Sequence, residues 1–152
     1  MKISTIKIQE KHREGYPGLI IYGDIIINDT SLHELIAHEY DFVSCLGWGN
    51  KEFQGQQIRR LLLQDHSDFS NNRNSIYICP ACADLGCGAV TLEIEITNDI
   101  VKWSKFGLQD NLNNSIKYLD HIEEFHFNLD EYREALIDSK GMGSYKWPWD
   151  KD

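Results

Sequence analysis

Residues 89 to 106, AVTLEIEITNDIVKWSKF, constrain this chain more than any other stretch. Two β-rich runs, AVTLEIEIT and IVKWSKF, are separated only by Asn98 and Asp99, residue types that tolerate the positive φ a two-residue hairpin turn needs. A turn centred there sets Ile96 opposite Val101 and Ile94 opposite Trp103 on one face, and Glu95 opposite Lys102 on the other. The hairpin therefore has an apolar face and a charged face. The apolar face has to be covered by another layer of structure.

The remaining elements supply that layer. KISTIKIQ (2 to 9) and LIIYGDIII (19 to 27) read as strands on either side of the turn-rich HREGYPG. In DTSLHELIAHEY, Ser31 followed three residues later by Glu34 has the form of a capping box, and Leu32, Leu35 and Ile36 share one face of a short helix. CLGWGN is a glycine-punctuated loop. Phe53, Ile58, Leu61 and Leu62 form a helical stripe over residues 51 to 64, and SDFSNNRNS reads as loop. SIYIC is a strand, QDNLNNS a loop and EEFHF a weaker strand. Asn128 with Glu131 opens a last helix whose stripe is Leu129, Tyr132 and Leu136. The tail GMGSYKWPWDKD cannot be helical around Pro148. The predicted fold is α+β, an antiparallel sheet with about three helices packed on it. With 152 residues and 41% hydrophobic side chains, the chain is expected to form a single domain. Residues 1 to 45 give an N-terminal hairpin and helix, 46 to 139 the core, and 140 to 152 an aromatic tail.

Fifteen basic against 24 acidic side chains give a formal net charge of −9. Such a charge disfavours direct nucleic-acid binding and favours a basic partner. No apolar run of signal-peptide or membrane-span length occurs, so the expectation is a cytoplasmic protein without membrane contact. In a reducing compartment Cys45, Cys79, Cys82 and Cys87 are thiols or ligands rather than a disulfide framework.

Three of these cysteines lie in YICPACADLGCGAV, residues 77 to 90. Cys79 and Cys82 form a C-x-x-C knuckle at a strand end and Cys87 follows, spacings short enough to set three thiolates around one zinc ion. A closed structural site needs a fourth ligand. Cys45, His66, His121 and His126 are isolated candidates for it. Dithiol chemistry at C-P-A-C requires a helix directly after the pair to lower the thiol pKa, whereas the sequence here runs through Gly86 and Gly88 into a strand. The competing reading makes Gly86-Cys87-Gly88 a sharp turn between two buried strands. No cofactor is therefore assigned, with zinc as the possible exception.

HELIAHEY resembles a zinc-protease helix only superficially. His33 and His38 are five residues apart and point about 140° away from each other on a regular helix, whereas one metal needs a four-residue spacing. A nucleophile elbow, a P-loop and a G-x-G-x-x-G turn are all absent. No catalytic residue is assigned, and the chain is not expected to be an enzyme. Carboxylates are plentiful in Glu123-Glu124, Asp130-Glu131 and the terminal Asp150 and Asp152, without a spacing that enforces shared acid-base work. In the tail, Tyr145, Trp147 and Trp149 lie between charges, and either tuck back onto the fold or anchor a partner.

LGWGN and IRRLLL, then SIYICPACADLGCGAVTLEIE, IVKWSKFG and FHFNLDEYREAL, occur in an order that resembles a family of small bacterial proteins. These read L-G-W-G, R-x-L-L-L, Y-x-C-P-x-C-x-D-L-G-C-G-A-V-T, V-x-W-x-x-F-G and F-x-F-x-x-x-x-Y-x-x-A-L. The match covers about residues 46 to 136. Small size, acidity and the missing catalytic set also resemble the immunity proteins of contact-dependent growth-inhibition (polymorphic toxin) systems. That resemblance implies a cognate toxin domain, such as a basic nuclease, neutralised by protein-protein contact through an acidic surface. The implied contact residues are Glu123, Glu124, Asp130, Glu131, Glu134, Asp138, Trp147 and Trp149. The alternative function is a zinc-binding or thiol-redox protein centred on Cys79, Cys82 and Cys87.

Overall fold

The computed structural model describes residues 1–14, 18–36, 42–79, 88–109 and 115–147. Within them the chain forms β1 (Ile6–Arg13), β2 (Ile20–Ile27), β3 (Thr30–Ser31), α1 (Leu32–Ile36), β4 (Val43–Ser44), α2 (Lys51–Leu61), β5 (Arg73–Ile78), β6 (Ala89–Thr97), β7 (Ile100–Gln109), β8 (Ile116–Tyr118), β9 (Phe125–Asn128) and α3 (Leu129–Asp138). All strand pairs are antiparallel. One sheet has the order β1-β2-β3, and the other β4-β5-β6-β7-β8 with β9 also on β7. The fold is α+β, with three helices among the described residues.

The β6–β7 hairpin has the expected register: Ile96 faces Val101, Glu95 faces Lys102 and Ile94 faces Trp103. Asn98 and Asp99 make the turn at φ 52° and 63°, the conformation that matches the twist of the flanking strands. Lys102 lies 3.7 Å from Glu95. Further along, the register shifts between Thr91 and Glu93. Lys105 sits there at φ 56°, the left-handed residue of a bulge that bends the hairpin.

Other boundaries shift by a few residues. β1 runs to Arg13 rather than ending near residue 9, because β2 offers an equally long partner and pairs with it residue for residue. Arg73 and Asn74, read as loop, belong to β5, which starts two residues before the expected Ser75. Leu35 is exposed although it was placed on the buried face of α1, whereas Leu32 and Ile36 are buried. The α2 stripe ends where Leu63 turns left-handed at φ 59°.

Single backbone hydrogen bonds join the two sheets at both ends. Gly23 N donates to the Leu46 carbonyl at 2.8 Å, linking β2 to the bend that follows β4, and Ser4 N donates to the His126 carbonyl of β9 at 2.7 Å. The Glu131 carboxylate then accepts from Ile6 N at 3.3 Å. The strands thus close into a ring. Its core contains Trp48, Trp103, Phe106, Phe127 and Tyr132, all at most 1% exposed. Trp103 stacks edge-on against Phe127 and Tyr132, the geometry aromatic quadrupoles prefer.

Candidate functional site

α3 carries most of the carboxylates assigned to partner binding. Its apolar stripe, Tyr132, Ala135 and Leu136, is buried, and Asn128 Oδ1 caps it by accepting from Asp130 N and Glu131 N at 3.0 and 3.2 Å. The opposite side is left to solvent. Asp130, Glu134 and Asp138 are exposed and spaced by four, so their side chains form one row along the helix. Exposed Ile137 adjoins this row. Tyr145, also exposed, has its ring against Gly141, one turn beyond Ile137.

The remaining assigned carboxylates are divided between surface and fold. Glu123 and Glu124 are exposed at the entry to β9, and Glu124 pairs with Lys102 at 3.6 Å. Asp130 pairs with Arg133 at 3.2 Å. Glu131 is occupied by its bond to Ile6 N, which gives it a structural task in the ring closure. Trp147 is tucked back: its ring lies 5.6 Å from Trp48 and 4.8 Å from Phe53. Gly143 N donates to the Gly47 carbonyl at 2.8 Å and holds the strap of chain that leads there. Trp149 lies outside the described residues.

The cysteine block is only partly covered. Cys79, at the end of β5, is partly buried, while Cys82, Cys87 and Gly86 lie outside the described residues, as does His38. Gly88 has φ 95°, and β5 and β6 pair across this connection, Ile78 facing Ala89. The candidate fourth ligands are scattered. Cys45 is in the core, His66 and His121 are exposed, and His126 is half-buried in β9. Burial pushes the Cys45 thiol from its usual 9.0 up to about 11, against a smaller opposite effect of the Arg60 guanidinium. Among the described residues no group of three or more His, Cys, Asp or Glu side chains is placed to hold a metal ion. His33 meets the buried Tyr77 ring edge-on at 5.7 Å.

Two buried arginines were not singled out from sequence. Arg60, 2% exposed, uses its whole guanidinium. Nε and Nη2 donate to Gln57 Oε1, Nη1 to Asn74 Oδ1 and the Ser75 carbonyl, and Nη2 to Ser75 Oγ. Asp68 lies 3.3 Å from Nη1 and accepts from both Ser75 N and Ser75 Oγ. An open cavity of about 360 Å³ adjoins this cluster, lined also by Phe53, Gln56 and His66. Since every Arg60 donor is already used, this cluster serves as a clamp joining α2 to β5 rather than an anion site.

Arg73, 1% exposed, lies across β6 and β7. It donates to Thr91 Oγ1, Gln109 Oε1 and the Thr91 and Lys105 carbonyls, and faces Glu93 at 3.7 Å and the Tyr118 ring at 5.5 Å. Burial lowers its pKa, opposed by Tyr118 and Glu93. Among the described residues, Arg73 Nη1 and Gln109 Nε2 are buried without a hydrogen-bond partner.

A third cluster surrounds Asp24, 4% exposed on β2. It accepts from Ser31 Oγ at 2.7 Å and from the Tyr77 hydroxyl at 3.4 Å, with Lys11 Nζ at 3.6 Å. Ser31 Oγ also accepts from Glu34 N at 3.4 Å, the cap expected of α1. Among the described residues no helix is long and apolar enough to cross a membrane. No family model, curated protein or solved structure matches the chain.

Proposed function

We propose that this chain is a binding protein that neutralises a cognate bacterial toxin domain by protein-protein contact, an immunity protein acting in the cytoplasm. The observation that carries this reading is the row Asp130, Glu134 and Asp138 on the solvent face of a helix whose inner face, cap and N-terminal carboxylate are all committed to the fold. Like charges four apart weaken a helix by a few tenths of a kcal/mol, so the row costs folding stability. It suits a basic surface that needs rapid, charge-steered capture. Ile137 and Tyr145 offer a desolvated centre for such a contact, with carboxylates at its rim. Glu123 and Glu124 extend the acidic surface toward β9. In the same reading, the chain groups with the small bacterial proteins that share the Y-x-C-P block.

The test is co-expression with a toxin domain from the same operon, where one is encoded, together with a pull-down. Rescue of growth and a co-purifying basic domain support the proposal, and lethality undiminished by this chain sinks it. Stoichiometric zinc in purified protein would instead favour the reading centred on Cys79, Cys82 and Cys87.

A further inference from the structure

Trp147 sits in a place shaped around an indole. Its ring meets Trp48 edge-on at 5.6 Å and Phe53 at a tilt at 4.8 Å, arrangements that aromatic rings favour. Gly49, left-handed at φ 84°, closes a third side. A Cβ there would come within 2.9 Å of Trp147 Cζ3 and 2.7 Å of Phe53 Cδ2, so glycine alone lets the backbone approach the rings this closely. These walls are fixed by other parts of the fold. Trp48, 1% exposed, donates its indole N–H to the Ser44 carbonyl at 2.7 Å, and Phe53 lies in the capped first turn of α2. A cavity of about 160 Å³ lies beside the Trp147 ring, with Leu19, Ile21, Trp48 and Gly143 on its walls.

The strap that carries Trp147 there works against its own docking. Gly141 N donates to Gln54 Oε1 at 2.9 Å and Gly143 N to the Gly47 carbonyl at 2.8 Å, but Ser144 and Tyr145, both exposed, are left-handed at φ 65° and 58°. Two successive residues with side chains in that region are strained, and the strain is relieved when the strap lets go. We propose that Trp48, Gly49 and Phe53 form a binding site for a planar aromatic group, which the strap of residues 141–147 closes with its own Trp147 and, by swinging away, opens to an indole-sized ligand. The occupant defines the ligand class: the walls are two aromatic rings and a bare glycine backbone, spaced for an indole. A substituent on such a ligand has the adjoining cavity to enter, where exposed Leu19 extends the apolar wall. Strap and ligand compete for one place, so the apparent affinity for the ligand falls in proportion to the open fraction.

Titration of the full chain with free indole, followed by NMR or calorimetry, tests this. Trp147→Ala removes the competitor and binds indole, as an apolar cavity cut into a core takes up benzene, whereas the wild type binds it about tenfold more weakly or less. Two substitutions at exposed Ser144 then move the wild-type affinity in opposite directions. Ser144→Gly relieves the left-handed strain, tightens the strap and weakens indole binding by about threefold. Ser144→Pro cannot adopt a positive φ, releases the strap and brings the affinity to within about threefold of Trp147→Ala. The proline variant keeps both walls and its own Trp147, so it carries the test if Trp147→Ala fails to fold, with far-ultraviolet circular dichroism as the check. A folded Trp147→Ala chain that takes up no indole overturns the site. Equal affinity in wild type and Trp147→Ala, or Ser144→Gly and Ser144→Pro that do not diverge, overturns the latch.

Discussion

Trp103 donates its indole N–H to the Tyr132 hydroxyl at 3.2 Å, and that hydroxyl donates onward to the Leu61 carbonyl at 2.6 Å. One buried chain of bonds thus fastens the central hairpin, α3 and the end of α2. Tyr132→Phe keeps the ring stacking but leaves a buried indole N–H and a buried carbonyl unpaired. The expected loss is about 1–3 kcal/mol, read from urea unfolding with an unchanged slope.

The Arg60 clamp makes a larger prediction. Arg60→Met removes the guanidinium that Gln57, Asn74, Ser75 and Asp68 share, stranding a partly buried carboxylate. Loss of one member of such a buried pair costs about 3–5 kcal/mol. Arg60→Lys fails to rescue it, since an ammonium cannot reproduce the planar fork. Thermal melts of both variants, compared with Arg59→Met on the exposed side of α2, decide the point.

Alkaline pH destabilises the protein through its core. Burial raises the Cys45 thiol to about 11, and also raises the phenols of Tyr22, Tyr77 and Tyr132. A raised folded-state pKa favours the protonated form, so the stability it contributes is complete below the ordinary value and disappears as pH climbs through the folded one. For Cys45 that window runs from 9.0 to about 11. Chemical denaturation at pH 8, 9, 10 and 11 should show a steady decline above pH 9, and Cys45→Ala should make the onset shallower.

On α3, Glu134→Lys with Asp138→Lys leaves folding within about 0.5 kcal/mol of wild type, because both side chains are exposed. Association with a basic partner slows by about tenfold or more. A partner whose on-rate ignores the double variant, measured at low salt, is captured elsewhere.

The central hairpin is legible in the sequence because everything that specifies it lies within a few residues: the Asn98–Asp99 turn and the pairs Ile94–Trp103 and Glu95–Lys102. The cap of α3 is legible for the same reason. β3, β4 and β8, two or three residues each, exist only because a longer strand lies beside them, and no local pattern marks them. The buried roles of Arg60 and Arg73 depend on Asp68, Thr91 and Gln109, which only the folded chain brings near. A hint for Arg60 does exist, since Gln54, Gln57 and Arg60 recur every three residues beside Ile58 and Leu61, all five being buried. For the partner surface, sequence gives the carboxylates but does not separate Glu131, consumed by Ile6, from Glu134 and Asp138, which remain free of such a task.

The ring closure sets an order of events during synthesis. Ile6 waits for Glu131, 125 residues later, and Ser4 waits for His126. Ribosomes add about 5–20 residues per second, so for several seconds β1 and β2 exist as a hairpin with nothing to seal their outer edge. Contacts this distant in sequence also slow folding. A nascent chain therefore leaves the outer side of β1 unsealed longest, and a chaperone that binds extended strands should recognise residues 6–13 until Glu131 and His126 have been made.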